Sequence, residues 1–337
     1  MFDFIYIEES LLDHPRTREI RSRFPAAACI PCERYGEIFN RKAQNFRLQK
    51  RNAALILARK YGNLILEAPP AYGIGSERNY YFSHMLNCLY DCRYCFLQGM
   101  YRSAHMVLFV NYEDFQAAIA REIAAAADAP PYFFSGYDCD SLALESITGF
   151  VESFRDFFAA QDTAFFELRT KSVHIKPLLQ MAPLPNCIAA FSMTPPALAQ
   201  SLEIGTPPVH SRIRALLELQ DRGWPLGLRF DPLIYQSNYR EHYRDLFAAV
   251  FAHLEPEHLH SVSLGQFRLP RAIYKNMHRL FPDEKLFAYG LDEKNGMVSY
   301  NSDIALEMHA FCSTELLQYI PEKIFFPCPS TTLEVTG

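Results

Sequence analysis

No stretch of this 337-residue chain approaches the ~18 consecutive apolar residues of a membrane-spanning helix. Its opening, MFDFIYIEES, lacks the basic segment and apolar run of a secretory leader. A cytoplasmic protein with no membrane partner is therefore expected. An excess of positive charge is missing as well. The 33 Lys and Arg stand against 38 Asp and Glu, a net charge of -5, so the chain as a whole does not advertise a nucleic-acid binder. There is no internal repeat or low-complexity tract, which leaves out solenoids and arrays. A disulfide framework is disfavoured, because nine cysteines is an odd number in a long chain. Cysteines in such a setting argue for metal or redox chemistry.

What is present is apolar and periodic. Hydrophobic residues make up 49% and charged residues 21%, the balance of a globular protein with a large core. One large domain with extensions is expected. After a strand signal in FIYIEE and a helical stretch through the forties and fifties, short apolar runs alternate with amphipathic helices. That alternation predicts parallel strands. The strand candidates span 80–86, 131–137, 164–171, 187–193, 225–234 and 260–268, and helices are predicted over 112–127, 143–160, 212–223, 240–254 and 271–281. Six strand-helix units are too few to close an eight-stranded barrel. The expected fold is α/β, a partial (β/α)6 barrel over residues 76–282, with an N-terminal α/β extension over 1–75 and a C-terminal extension over 283–337. Pro-rich pieces at 68–71 and 326–329 mark the approximate edges. Chemistry in such folds sits at the C-terminal ends of the strands.

The segment NCLYDCRYCFLQ sets Cys88, Cys92 and Cys95 in a CxxxCxxC pattern directly after the first strand. Three thiolates hold three irons of a [4Fe-4S] cluster and leave the fourth open to a chelating cofactor. This is the radical S-adenosylmethionine (SAM) signature, in which the methionyl amine and carboxylate occupy the open iron. The other reading is zinc held by the three cysteines with His84. Cofactor-gripping groups are expected at the strand ends: Ser135 and Gly136 after the second strand, Lys171 after the third, Ser192 after the fourth, and Arg229 and Asp231 near the end of the fifth. Each alone reads equally well as surface or barrel core; their shared position is the signal. Cys29 and Cys32 form a CxxC interrupted by Pro31, half a zinc site at most, and no metal is expected there.

The stretches RYCFLQ, ELRTK, AFSMTP, LEIGTP and IYIEES together resemble the spore photoproduct lyase family of radical SAM enzymes, over residues 4 to about 300. The resemblance implies a 5'-deoxyadenosyl radical, hydrogen abstraction from the methylene-bridged thymine dimer of ultraviolet-damaged DNA, C–C scission, and return of a hydrogen. It also implies a flavodoxin- or ferredoxin-type electron donor, with the protein working as a monomer. Two positions depart from the family. Its third cluster cysteine has tyrosine on both sides, whereas here Cys95 lies between Tyr94 and Phe96, so a relay through the second tyrosine is lost. Counting back from Glu145 and Asp140, Tyr137 occupies the place of the hydrogen-donor cysteine, with Cys139 two residues later.

Catalytic roles are accordingly expected for Cys139, Tyr137 and Tyr94, with Cys139 as donor, and Phe96 and Asp140 join the cofactor-binding set. A buried, inert thiol is the plain alternative for Cys139. Damaged DNA as partner calls for a basic surface, and residues 41–51, RKAQNFRLQKR, hold five basic residues and no acidic one. Arg47 and Lys50, with Arg268 and Arg271, are the candidate phosphate contacts; a solvated helix face is the other reading. Two further functions stay open: a family relative acting on another substrate, favoured by Phe96, Tyr137 and the acidic net charge, and a non-catalytic metal-binding nucleic-acid module.

Overall fold

In the computed structural model, which describes residues 2–328 except 70, 71, 127, 128 and 289, the alternating pattern builds six parallel strands. They lie side by side in chain order: β1 (Asn79–Phe82), β2 (Tyr132–Ser135), β3 (Phe165–Thr170), β4 (Cys187–Ser192), β5 (Leu226–Leu233) and β6 (Leu259–Gln266). Phe325–Pro327 adds a parallel edge beside β6, and Leu66–Glu67 an antiparallel one beside β1. Every residue of β2 and β4 is buried, as expected of parallel strands covered on both faces. Among the described residues, no helix is long and apolar enough to cross a membrane.

The predicted run at 80–86 splits. Asn79–Phe82 stays in the barrel, while Met85–Leu86 crosses to a second sheet, ordered Ala28–Cys32, Phe4–Glu8, Leu55–Ala58, Met106–Phe109, Met85–Leu86. The N-terminal segment thus shares its sheet with strands from the span assigned to the barrel, and Phe325–Pro327 from the C-terminal segment completes the barrel edge. The helix expected through the forties and fifties is short, Phe46–Arg51. The run that follows it becomes a strand, because all four residues of Leu55–Ala58 are buried between Phe4–Glu8 and Met106–Phe109. The helix expected over 143–160 is broken at Gly149, whose left-handed φ of 54° ends Glu145–Thr148 and begins Phe150–Ala159. The predicted ends at residues 127 and 329–337, and residues 70 and 71 of the first Pro-rich piece, lie outside the described residues.

The lumen side of the sheet carries a small apolar cluster of Ile74, Tyr132, Phe134, Ile188 and Ala190. Across it runs a buried ion pair. Arg229 on β5 donates to both carboxylate oxygens of Glu167 on β3, at 2.6 and 3.2 Å, and to Ser261 Oγ and O at 2.8 and 3.0 Å. Arg169 donates to the same carboxylate at 2.9 Å. Arg229, expected to grip the cofactor, is instead fully buried in the staple between strands; with its guanidinium so engaged, it is unavailable to a ligand. Burial acts to raise the Glu167 pKa, but Arg229 and Arg169 outweigh it and hold it near 2. The depressed value means that this carboxylate stabilises the fold fully above its ordinary pKa, near 4.3. That contribution is lost as pH falls through about 2. Glu167→Gln leaves Arg229 buried without its counter-ion and should cost about 3–5 kcal/mol, read as a lower urea midpoint. An unchanged midpoint would show that the pair does not staple the lumen.

Candidate active site

The chain leaves β1, crosses to the second sheet, and turns at Asn87, whose φ of 68° is left-handed. It then enters the cysteine loop. Cys88, Cys92 and Cys95 line one cavity together with Phe46, Lys50, Asn87, Tyr90, Leu97 and Gln98, and all three thiols are free. Burial raises each thiol pKa, that of Cys88 to about 12, while Lys50 opposes the rise at Cys88 and Lys171 opposes it at Cys92. Two buried amide oxygens on residues of the wall, Asn87 Oδ1 and Gln98 Oε1, have no hydrogen-bond partner.

A [4Fe-4S] cluster fits this donor set. Thiolates on a single tetrahedral zinc, at ~2.3 Å each, stand about 3.8 Å apart. Among the described residues no three His, Cys, Asp or Glu side chains are gathered to hold one ion, whereas a cluster takes its thiolates on separate irons. Among the described residues His84, the fourth ligand of the zinc reading, is not gathered with the cysteines either. His84 is stacked on Phe150, ring centroids 4.0 Å apart, and burial lowers its pKa to about 3.

The loop is held from both sides. Lys50 Nζ donates to the carbonyls of Cys88 and Tyr90 at 2.6 and 2.9 Å. This corrects its expected phosphate contact: the ammonium turns inward because two loop carbonyls need a donor. On the far side, Asp91–Cys92 pairs antiparallel with Glu203–Ile204. Glu203 is buried and ion-paired with Arg212; it accepts from Thr194 Oγ1 at 2.8 Å and from the Tyr94 hydroxyl. Tyr94, expected to be catalytic, is thus a buried brace behind the loop. Sequence reasoning missed Glu203 and Arg212, although the LEIGTP segment that carries Glu203 was part of the resemblance.

Of the strand-end groups, Lys171 reaches the cysteines. Its ammonium lies 5.6 Å from the Tyr94 ring centroid and opposes the burial shifts of Cys92 and Cys95. Asp140 is not a free ligand, as it accepts from Leu142 N, Ala143 N, Thr170 Oγ1 and Lys171 N at 3.0, 2.9, 2.6 and 2.7 Å. Its carboxylate ties the loop after β2 to the end of β3. The Ser135 hydroxyl is likewise engaged, with Ser141 Oγ at 2.7 Å and Glu167 O at 2.8 Å. Gly136 has φ of 82°, and a Cβ there would lie 2.6 Å from Ser141 Oγ. Ser192 is buried, its carbonyl accepting from Arg212 at 3.2 Å.

The barrel mouth is aromatic and charged. Tyr137 stacks on Tyr81 with centroids 4.3 Å apart and lies 5.4 Å from Phe96. Burial, then Tyr72 and Tyr81, push its hydroxyl pKa up to about 12. Arg268 donates to the Tyr72 hydroxyl at 2.8 Å, which replaces its expected phosphate contact with an internal one. Asp231 lies against Gly265, where a Cβ would meet its carboxylate at 2.8 Å. Cys328, isolated in the sequence and assigned no role from it, adjoins these groups: its N–H donates to Leu264 O at 2.7 Å. Burial, then Asp231, raise its thiol pKa to about 11, against Arg268 and Arg169. No spacing signal could have found it; only the pairing of Phe325–Pro327 with β6 brings it there. Cys139 is buried in the main core, where burial and then Cys88 raise its pKa and the Met85 amide opposes the rise.

The remaining candidates disperse. Arg47 donates to Leu280 O at 3.0 Å, and Arg271 pairs with Glu293 at 3.0 Å. The four basic candidates therefore do not form one phosphate-binding surface. Cys29 and Cys32 stand three apart on one strand and point to opposite faces, one exposed and one buried.

The spore photoproduct lyase family matches residues 68–303. The chain is 24% identical over 290 residues to the spore photoproduct lyase of Bacillus subtilis (strain 168), covering 84% of this chain and 83% of that one. It is 23% identical over 202 residues to that of Geobacillus sp. (strain Y412MC61), covering 59% of each. Its fold matches a spore photoproduct lyase double mutant with bound AdoMet and dinucleoside spore photoproduct, with a TM-score of 0.86 at 19% identity over 98% and 99% of the two chains. It also matches a lyase complexed with dinucleoside spore photoproduct, at 18% identity, a TM-score of 0.84 and 98% of each chain.

Replacing Cys88, Cys92 or Cys95 with Ala should each remove most of the iron taken up on anaerobic reconstitution, because no neighbouring thiol lines the cavity to substitute. Full iron loading in the triple Ala variant, measured by metal analysis, would end the cluster assignment.

Proposed function

The chain belongs to the spore photoproduct lyase family, and we propose that it repairs spore photoproduct in ultraviolet-damaged DNA by radical SAM chemistry, splitting the C–C bond of the methylene bridge between two thymines. The observation that carries this reading is the convergence of the Cys88, Cys92 and Cys95 thiols on one cavity, with Lys171 from the C-terminal end of β3 acting on Cys92 and Cys95. Cys88, Cys92 and Cys95 would hold a [4Fe-4S] cluster, which with SAM would supply the 5'-deoxyadenosyl radical chemistry that abstracts hydrogen from the lesion.

The chain's own groups bind and orient. Lys171 pairs with the methionyl carboxylate, and Gly136 lets the turn after β2 close on Ser141 and the Arg169 carbonyl where a side chain would collide. Tyr81, Tyr137 and Phe96 offer flat faces to a thymine pair turned out of the duplex, as an enzyme acting on a base requires. After scission the thymine-centred radical needs a hydrogen atom, and a thiol supplies it readily. The S–H bond breaks, a C–H bond forms, and the odd electron passes to sulfur. Cys139, the donor expected from the sequence, is buried beside Cys88, and Cys328 is as deeply buried beside Tyr72 and Arg268. We assign the step to Cys328 because its neighbours Tyr72 and Arg268 also act on Tyr137 at the mouth.

The deciding experiment incubates the anaerobically reconstituted, reduced protein with SAM and dinucleoside spore photoproduct and looks for restored thymidine. Cys328→Ala should keep SAM cleavage and divert product to trapped adducts, while Cys139→Ala repairs cleanly; the reverse pattern returns the role to Cys139. SAM cleavage without repair in the wild type would favour a different substrate, the reading that Phe96 and Tyr137 support. Lys171→Ala should weaken SAM binding by about 1.5–3 kcal/mol, measured by calorimetry, and unchanged affinity would remove Lys171 from the cofactor site.

A further inference from the structure

The cavity beside the three cysteines is not part of the barrel lumen. Its walls are the cysteine loop, Leu97, Gln98 and the helix Phe46–Arg51, and no residue of β1–β6 contributes to them. Arg47, Lys50 and Arg51 occupy positions i, i+3 and i+4 of that helix and share one stripe. Lys50 turns inward onto the loop, while Arg47 and Arg51 remain exposed. The Arg47 guanidinium lies 5.4 Å from the Phe281 ring centroid and that of Arg93, paired with Asp91, lies 4.1 Å from it, so the exposed cations of this face are Arg47 and Arg51. Leu48 and Leu89 are exposed apolar residues, at 61% and 44%, and Leu89 stands between the two residues whose carbonyls Lys50 holds. No acidic residue occurs from 38 to 66, and Asp91 in the loop is engaged by Arg93 at 3.1 Å.

We propose that this face is the docking surface for a small acidic protein that carries one electron, and that the electron reaches the cluster through the wall at Lys50. The inference rests on the radical chemistry proposed above, which needs one electron to start each reductive cleavage of SAM. One electron leaves the reduced carrier and enters the cluster; no atom or proton moves with it. A short apolar centre inside a basic rim is the form of a weak, electrostatically steered encounter, fast to form and sensitive to salt. Damaged DNA is the poorer occupant, because its thymines must reach Tyr137 and Phe96 at the barrel mouth, whereas this cavity has no wall from the barrel strands. The repair reaction assigns no work to Arg47 or Arg51, and a basic rim in a protein of net charge -5 needs a partner of the opposite sign.

The test mixes the full chain, cluster reconstituted, with either reduced flavodoxin as the acidic probe or photoreduced deazaflavin as a small reductant, and follows cluster reduction by absorbance and electron paramagnetic resonance. In Arg47→Glu with Arg51→Glu, reduction by flavodoxin should slow about tenfold at low salt and lose its ionic-strength dependence. Reduction by deazaflavin and affinity for lesion-bearing duplex should stay at wild-type values. Arg51→Glu alone should give about threefold on the same readout, which keeps the test open if the double variant folds poorly. Calorimetry of the cluster-free chain against oxidised flavodoxin should show the same loss of binding. Unchanged reduction by flavodoxin, equal slowing with both reductants, or loss of DNA affinity in place of slower reduction overturns the proposal. A wild type that accepts the electron from flavodoxin in this salt-dependent way yet restores no thymidine leaves the docking surface standing and defeats the repair reading instead.

Discussion

Three cysteines within eight residues present their thiols to one cavity only if the backbone between them is held from outside. The loop has little regular structure of its own: the two-residue strand Asp91–Cys92 and the short helix Leu97–Met100. Its carbonyls at Cys88 and Tyr90 are fixed by the Lys50 ammonium, a charge-assisted contact of the stronger kind. Its other arm is fixed by the pairing of Asp91–Cys92 with Glu203–Ile204, itself anchored by the buried Glu203–Arg212 pair. The site is thus assembled from groups 50 and 203 residues into the chain as much as from the cysteine motif, and the rest of the architecture serves to bring those groups together.

Two buried ion pairs divide this work. Glu167–Arg229 crosses the lumen and joins β3 to β5, and Glu203–Arg212 stands behind the cysteine loop. Neither is cheap, since both partners of each are wholly out of water and the attraction repays desolvation only when further hydrogen bonds complete the shell. Both have that completion: Ser261 for Arg229, and Thr206 Oγ1 and the Pro207 carbonyl for Arg212. Such pairs fix geometry more than they add stability, which suits a site whose radical must meet one hydrogen atom and no other.

The barrel was legible because parallel strands buried on both faces write themselves as apolar runs, and all six runs form strands in chain order. The second sheet was not. Leu55–Ala58 reads as part of a helix next to Phe46–Arg51 until its partners, Phe4–Glu8 and Met106–Phe109, are known. The cysteine triplet was legible from spacing alone, and Lys171 from its place at a strand end. Asp140, Ser135 and Arg229 looked equally available, but strand-end position does not reveal whether neighbouring amides and hydroxyls have already taken a polar side chain. The same limit hid Lys50, whose basic neighbours suggested a solvated or phosphate-bound face, and Cys328, whose partners lie far off in the chain.

The departures from the family pattern gain a physical meaning at the mouth. Where a thiol would stand after β2 in the family, Tyr137 is stacked on Tyr81 and packed near Phe96. A phenol there is larger than a thiol and turns the position into one wall of an aromatic box. The hydroxyl that the family carries after its third cluster cysteine is also gone, since Phe96 has only a ring edge to offer. The thiol of that side has therefore been replaced by aromatic rings, two of which, Tyr81 and Tyr137, keep a phenolic hydroxyl. A thiol remains on the other side of the mouth, at Cys328, delivered by an edge strand from the far end of the chain. An aromatic wall at Tyr81, Tyr137 and Phe96 and a buried thiol at Cys328 are thus what this chain sets around the mouth.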